Sequence, residues 1–137
     1  GSTAEVIERT LEDRREWAKQ FGGRYPLYVG VDHMGQVACY GCLFKYSPKH
    51  GYDHATENSL YVARDHRKKG WGNEMLTHLL TEANRLGFHY ILARIFATNE
   101  VSIRMHREQG FETLGLQREA VWLDEKFFDV LLMDRRV

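Results

Sequence analysis

The chain has 137 residues and a mass of 16.1 kDa, with 43% hydrophobic and 28% charged residues. These values fit a single globular domain over 1–137 and exclude a disordered or collagen-like polypeptide. The 19 basic residues balance 19 acidic ones, so no whole-domain field draws in nucleic acid or an anionic membrane, and a polyanion must be met by a local patch. No run of about 18 apolar residues and no basic-then-apolar leader is present, and the expectation is a soluble, cytoplasmic protein.

In chain order, Thr10 followed by Asp13 reads as a helix N-cap with an acid three residues on, opening a helix through Arg14, Trp17 and Ala18 that stops at Gly22 and Gly23. Residues 27–31 and 37–44 alternate in the manner of strands and flank a turn-rich segment, which predicts a hairpin. Residues 45–54 are polar, carry Pro48 and Gly51, and form a loop. A strand at 59–63 then enters a basic turn. Beyond it Trp71, Met75, Leu76, Leu79, Leu80, Ala83 and Leu86 keep helical spacing until Gly87. A continuous apolar strand at 90–97, a short helix at 102–109 and two strands at 113–123 and 127–133 complete the chain. Strands bracketing helices in this order predict an α/β or α+β fold, with a mixed sheet and helices on its faces.

The stretch that carries chemistry runs from Tyr61 to Asn73. A strand leads into a turn bearing Arg64, Arg67, Lys68 and Lys69 against one acid, Asp65, and Gly70 and Gly72 open the helix. A helix N-terminus presents unpaired N–H groups and partial positive charge, and glycines admit close approach, so this turn suits a polyphosphate. It matches neither the nucleotide P-loop nor the three-glycine dinucleotide pattern. Cys39 and Cys42 form one C-x-x-C inside a strand, three apart and on opposite faces. Without a second pair for zinc, and away from a helix start, they are read as reduced thiols. The histidines, including His50 and His54 around Asp53, lack ligand spacing, and no metal is expected.

Arg67-Lys68-Lys69-Gly70-Trp71-Gly72 resembles the [Q/R]-x-x-G-x-[G/A] pyrophosphate loop of the GCN5-related N-acetyltransferases. Asn99-Glu100-Val101-Ser102, with the helix ending Gly110-Phe111, resembles that family's second cofactor segment. Residues 52–62, Tyr-Asp-His-Ala-Thr-Glu-Asn-Ser-Leu-Tyr-Val, resemble the Y-x-x-T-x-E-x-S-V-Y-V run of its phosphinothricin and methionine sulfone branch. The resemblance implies a central, mostly antiparallel mixed sheet with splayed central strands. It implies acetyl-CoA as acyl donor, no metal, and a small-molecule amine as acceptor. Leu60, Tyr61 and Val62 would line the pantetheine arm, with the Val62 N–H polarising the thioester carbonyl. Arg67, Lys68, Lys69, Gly70, Trp71, Gly72 and Asn73 would hold the pyrophosphate, and Asn99 and Ser102 would meet the pantetheine. Glu57 falls at the position of the catalytic base, and His106 where relatives protonate the departing thiolate. Lys49 and Tyr52 would contact the substrate, Lys49 standing where the branch usually has arginine; Lys keeps the charge but not the bidentate fork.

The family pattern also includes a strand and helix ahead of the segment matched here, so the resemblance implies an N-terminally short domain whose exposed edge favours self-association into a homodimer. The leading reading is an N-acetyltransferase for a small amino-acid-like amine. Two others stand beside it: a non-catalytic CoA-binding module, and an acetyltransferase for a polyamine, antibiotic or protein N-terminus. Nucleic-acid binding through Arg64 to Lys69 is disfavoured by the neutral overall charge.

Overall fold

Strands β1 (Leu27–Val31) and β2 (Val37–Lys45) form the expected hairpin in a computed structural model that describes residues 21–137. The helix expected over 10–22 lies almost entirely outside the described residues. β3 (Ala55–Val62) follows the loop and leads through a 3-10 turn, Arg64–His66, into α1 (Trp71–Arg85). β4 (Tyr90–Phe96), α2 (Glu100–Glu108), β5 (Glu112–Leu123) and β6 (Lys126–Arg136) complete the order. The sheet order is β1-β2-β3-β4-β6-β5, with β3 and β4 its parallel pair and its other neighbours antiparallel. This is the mixed, mostly antiparallel sheet expected.

Alternation along the strands sends one set of side chains to the helices. Cys39, Leu43, Ile91, Ala93, Ile95 and Met133 meet Met75, Leu76, Leu79 and Ala83 of α1, and Ile103 and Met105 of α2 pack on the same cluster. Gly41 belongs to this face because a Cβ there would stand 2.5 Å from Met75 Cγ; the missing side chain lets α1 settle onto β2. The two helices are clasped by Gln109, whose Nε2 donates to the Asn73 carbonyl and side chain at 2.9 and 2.7 Å. α1 ends at Gly87 as its sequence predicts, with the Phe88 N–H returning to the Ala83 carbonyl. Asp124 and Glu125 both take positive φ, making the two-residue turn between Leu123 and Lys126.

Three boundaries differ from the sequence reading by two residues or more. β3 starts at Ala55 and not at 59, because Ala55 to Asn58 pair with β4 and Thr56 to Asn58 also with β2, while Thr56, Glu57 and Asn58 carry polar side chains that apolar periodicity does not register. α2 starts at Glu100, since Asn99 caps it by accepting from the Ser102 N–H at 3.2 Å. β6 runs on to Arg136, held by β4 as far as Tyr90↔Arg136. Cys39 and Cys42 are free and buried on opposite faces, and burial pushes the Cys42 thiol up to about 12.

Candidate active site

β3 and β4 pair in parallel from Ala55↔Tyr90 to Asn58↔Ala93 and then part. Beyond that point Ser59 to Val62 stay with β2 while β4 follows β6 to Phe96↔Val130. The gap is a cleft lined by Asn58, Ser59, Leu60, Arg94, Ser102 and His106. Ladder parity shows what the parted strand offers. The Ala63 N–H donates to the Ala38 carbonyl at 2.8 Å, so alternate residues Tyr61 and Ser59 also face β2, whereas the main-chain groups of Leu60 and Val62 face the opening. The Val62 carbonyl accepts from Arg67 Nε at 3.3 Å, and the same guanidinium lies 5.9 Å from the centre of the Tyr61 ring.

At the far end of β3 stands the basic turn. Arg67, Lys68 and Lys69 are exposed, and Gly70, at φ +90°, forms the N-cap of α1 with no side chain to cap it. That left-handed angle is one glycine adopts without strain. The first intrahelical bond runs from the Glu74 N–H to the Gly70 carbonyl, which leaves the N–H groups of Trp71, Gly72 and Asn73 directed out of the helix end. The side chain of Asn73 is occupied by Gln109. The turn is braced from the β1–β2 hairpin, where Asp32 accepts from His66 at 2.8 Å and from the Met34 and Gln36 N–H groups. The His66 bond is the largest influence holding the Asp32 carboxyl down to about 2.

On the helix face, α2 places His106 against Asn58 of β3. His106 is 2% exposed, its Nδ1 lies 2.8 Å from the Ser102 carbonyl and its Nε2 3.2 Å from Asn58 Nδ2. A carbonyl can only accept, so Nδ1 carries the proton and Nε2 the lone pair, which accepts from the Asn58 amide. Burial lowers the His106 pKa, against the Ser102 bond, which supports the charged form. Asn58 Oδ1 is itself buried with no hydrogen-bond partner. Ser102 touches His106 through its main chain, and its hydroxyl lies 3.4 Å from Nδ1.

On the opposite face, Glu57 is 9% exposed and accepts from Arg94 Nε at 3.1 Å. Burial raises its pKa more than Arg94 lowers it. Tyr46 stacks near Tyr52 and Tyr90, at 5.0 and 6.0 Å between ring centres, and the Tyr90 hydroxyl donates to Asp134 at 2.8 Å. Tyr52 thus joins an aromatic cluster on the face of Glu57, while Lys49 lies on the exposed loop just before the 3-10 turn His50–Tyr52. His54 turns to the Gly87 carbonyl at 2.9 Å, away from His50, which pairs with Asp53 at 3.4 Å.

The structure therefore gathers Glu57, Leu60, Val62, Ser102 and His106 around the parting of two strands, with the residues from Arg67 to Asn73 beyond. Sequence reasoning missed Asn58 and Arg94. Each left a signal: an amide in a buried polar run, and one cation inside the apolar strand Tyr-Ile-Leu-Ala-Arg-Ile-Phe.

A parted parallel pair facing a glycine-opened helix defines the class, and comparison with known proteins agrees. Residues 3–111 match the acetyltransferase (GNAT) family. The L-methionine sulfoximine/L-methionine sulfone acetyltransferase of Pseudomonas paraeruginosa is 34% identical, over 96% of this chain and 82% of its own. The L-amino acid N-acyltransferase MnaT of Escherichia coli is 30% identical over 90% of this chain and 75% of its own. Among solved structures, a phosphinothricin acetyltransferase from Sinorhizobium meliloti in complex with AcCoA superposes with a TM-score of 0.84 at 28% identity, covering 92% of this chain and 68% of that one. The chain belongs to the GNAT family of N-acetyltransferases, and its chemistry is acetyl transfer.

Proposed function

We propose that the protein transfers acetyl from acetyl-CoA to the primary amine of a small, amino-acid-like substrate by direct attack in a ternary complex. The observation that carries this reading is the parting of β3 and β4 at Asn58, with a carboxylate and a neutral imidazole beside it and an uncapped helix end beyond it. Two features fit the donor: the outward N–H groups of α1, which suit a pyrophosphate, and the orphaned Asn58 Oδ1 in the cleft, which can accept from an amide N–H of the pantetheine arm. When bound, acetyl-CoA supplies an acyl group already activated as a thioester.

The chain's own groups do the rest. Arg67, Lys68, Lys69 and the main chain from Gly70 to Asn73 hold the pyrophosphate, with Tyr61 supporting Arg67 from behind. Leu60 and Val62 offer main-chain groups to the pantetheine, as do the Asn99 amide NH2, left over after capping, and Ser102. The Val62 N–H faces the opening and donates to the charge that develops on the carbonyl oxygen. Glu57 takes a proton from the substrate ammonium, directly or through water, through Oε2, since Oε1 is held by Arg94. His106 has a lone pair and no proton on Nε2, so it accepts the proton that the nitrogen loses once the C–N bond has formed and passes it to the sulfur as the C–S bond breaks. Lys49 and Tyr52 contact the substrate from the loop. Two copies associate through the β5–β6 hairpin, where Leu114, Leu116, Trp122 and Phe127 are each more than half exposed; light scattering checks that state.

Calorimetry with acetyl-CoA and a thiol-release assay over amino acids, methionine sulfone and polyamines test the reading. Heat of binding together with turnover of methionine sulfone or another amino acid is expected. Heat without turnover of any amine would instead identify a non-catalytic CoA-binding module, and no heat would end both.

A further inference from the structure

Arg94 is the cation that the reaction as described leaves unexplained. It interrupts an otherwise apolar strand, at a position where the neighbours Ala93 and Ile95 are 1% and 4% exposed. Its side chain is 47% exposed, on the same face as Glu57. Among the described residues its hydrogen bonding uses Nε alone, and Arg94 is one of the residues that line the cleft. A half-exposed ion pair adds little to stability, so the fold gains little from keeping a guanidinium there.

We infer that Arg94 is the anchor for the α-carboxylate of the substrate, which makes the acceptor a free α-amino acid and not a simple amine. The inference rests on the acetyl-transfer reading of the same site. In an α-amino acid the ammonium and the carboxylate sit on one carbon, so a protein that recognises both must set an anion and a cation side by side. Glu57 and Arg94 are such a pair, 3.1 Å apart. With Nε held by Glu57, the Nη groups keep donors for an incoming carboxylate, a charge-assisted contact that lysine would make without the planar fork. Bound this way, the carboxylate holds the neighbouring ammonium beside Glu57, the group that must deprotonate it. A polyamine or an amino amide brings no anion to Arg94 and loses this alignment.

The test compares L-methionine sulfone with its α-carboxamide in the thiol-release assay, using the wild-type protein, Arg94→Gln and Arg94→Lys. For Arg94→Gln, kcat/KM on the free acid is expected to fall about 10- to 100-fold, mostly through KM, while the carboxamide changes by less than about 3-fold. Arg94→Lys should recover part of the loss on the acid. If Arg94 serves only to tune Glu57 or to brace the strand, both substrates suffer alike, and that result overturns the inference. An unchanged KM for the acid overturns it too. Turnover of polyamines but of no free amino acid by the wild type would defeat the amino-acid reading itself, and with it the anchor.

Discussion

Glu57 and Asn58 are consecutive residues of β3, yet the pleat sends them to opposite faces with opposite electrostatics. On the helix face, Asn58 meets an imidazole that is 2% exposed and uncharged, held by an amide and a main-chain carbonyl. On the other face, Glu57 sits in an ion pair whose partner reaches solvent. The same physical cause acts on both sides. Burial disfavours charge, so it raises the carboxyl from its ordinary 4.5 and lowers the imidazole from 6.5. Two bases whose ordinary values differ by about two units are thereby shifted toward one another. What the comparison teaches is that one strand, parted from its neighbour at Asn58, presents a carboxylate on one face and, on the other, the amide that holds the imidazole of α2, and that burial shifts the two titrating groups in opposite directions.

The comparison breaks most sharply at Glu57. Glu57→Gln keeps the shape and the Arg94 contact but removes the carboxylate proposed as the base, and kcat/KM in the thiol-release assay should fall about 10²- to 10⁴-fold. Acetyl-CoA binding by calorimetry should be nearly unchanged, because Glu57 faces away from α1 and α2. Turnover at the wild-type rate would take the base role away from Glu57.

His106 comes next. His106→Gln should lower kcat about 10- to 100-fold and should also alter the dependence of stability on pH. The folded pKa of His106 lies below its unfolded 6.5, so on acidification the unfolded chain binds this proton first. The stability tied to the neutral imidazole is complete above 6.5 and is lost as pH falls through the folded value. Thermal melts of the wild type should drop with pH below about 6.5, and His106→Gln should drop less steeply. Equal slopes would mean that His106 is not held neutral.

How far these faces could be read from the sequence differs by residue. β1, β2 and α1 were legible because apolar side chains repeat at periods of two and 3.6 along them. The first half of β3 was not, since Thr56, Glu57 and Asn58 are buried polar residues whose partners lie elsewhere: the Phe44 carbonyl, Arg94 and His106. Periodicity registers burial only when burial is apolar. Glu57 and His106 were legible through motifs of the family, and the glycine-opened turn through its own chemistry. The partners that hold them, Arg94 for Glu57 and Asn58 for His106, lie 37 and 48 residues away in the chain; only the register of strands and the docking of α2 bring them together.

The finest effect belongs to Asn58, and its sign is the informative part. Its amide donates to Nε2 of His106, a bond that can form only while the imidazole is neutral. Asn58→Ala leaves that nitrogen without a partner and should cost about 1–3 kcal/mol of stability, with a loss of kcat of only a few-fold. Asn58→Asp goes further, because an ionised carboxylate cannot donate to a lone pair and accepts only if Nε2 carries a proton. The anion should therefore raise the pKa of His106, reversing the effect that burial has in the wild type. Followed by NMR titration of the ring, Asn58→Asp should move the midpoint upward by more than Asn58→Ala, which only removes a bond to the neutral ring. The acid limb of the kcat profile should move to higher pH by the same interval, since the protonated ring can no longer accept. A midpoint unmoved by Asn58→Asp would mean that Asn58 packs against His106 without deciding its protonation.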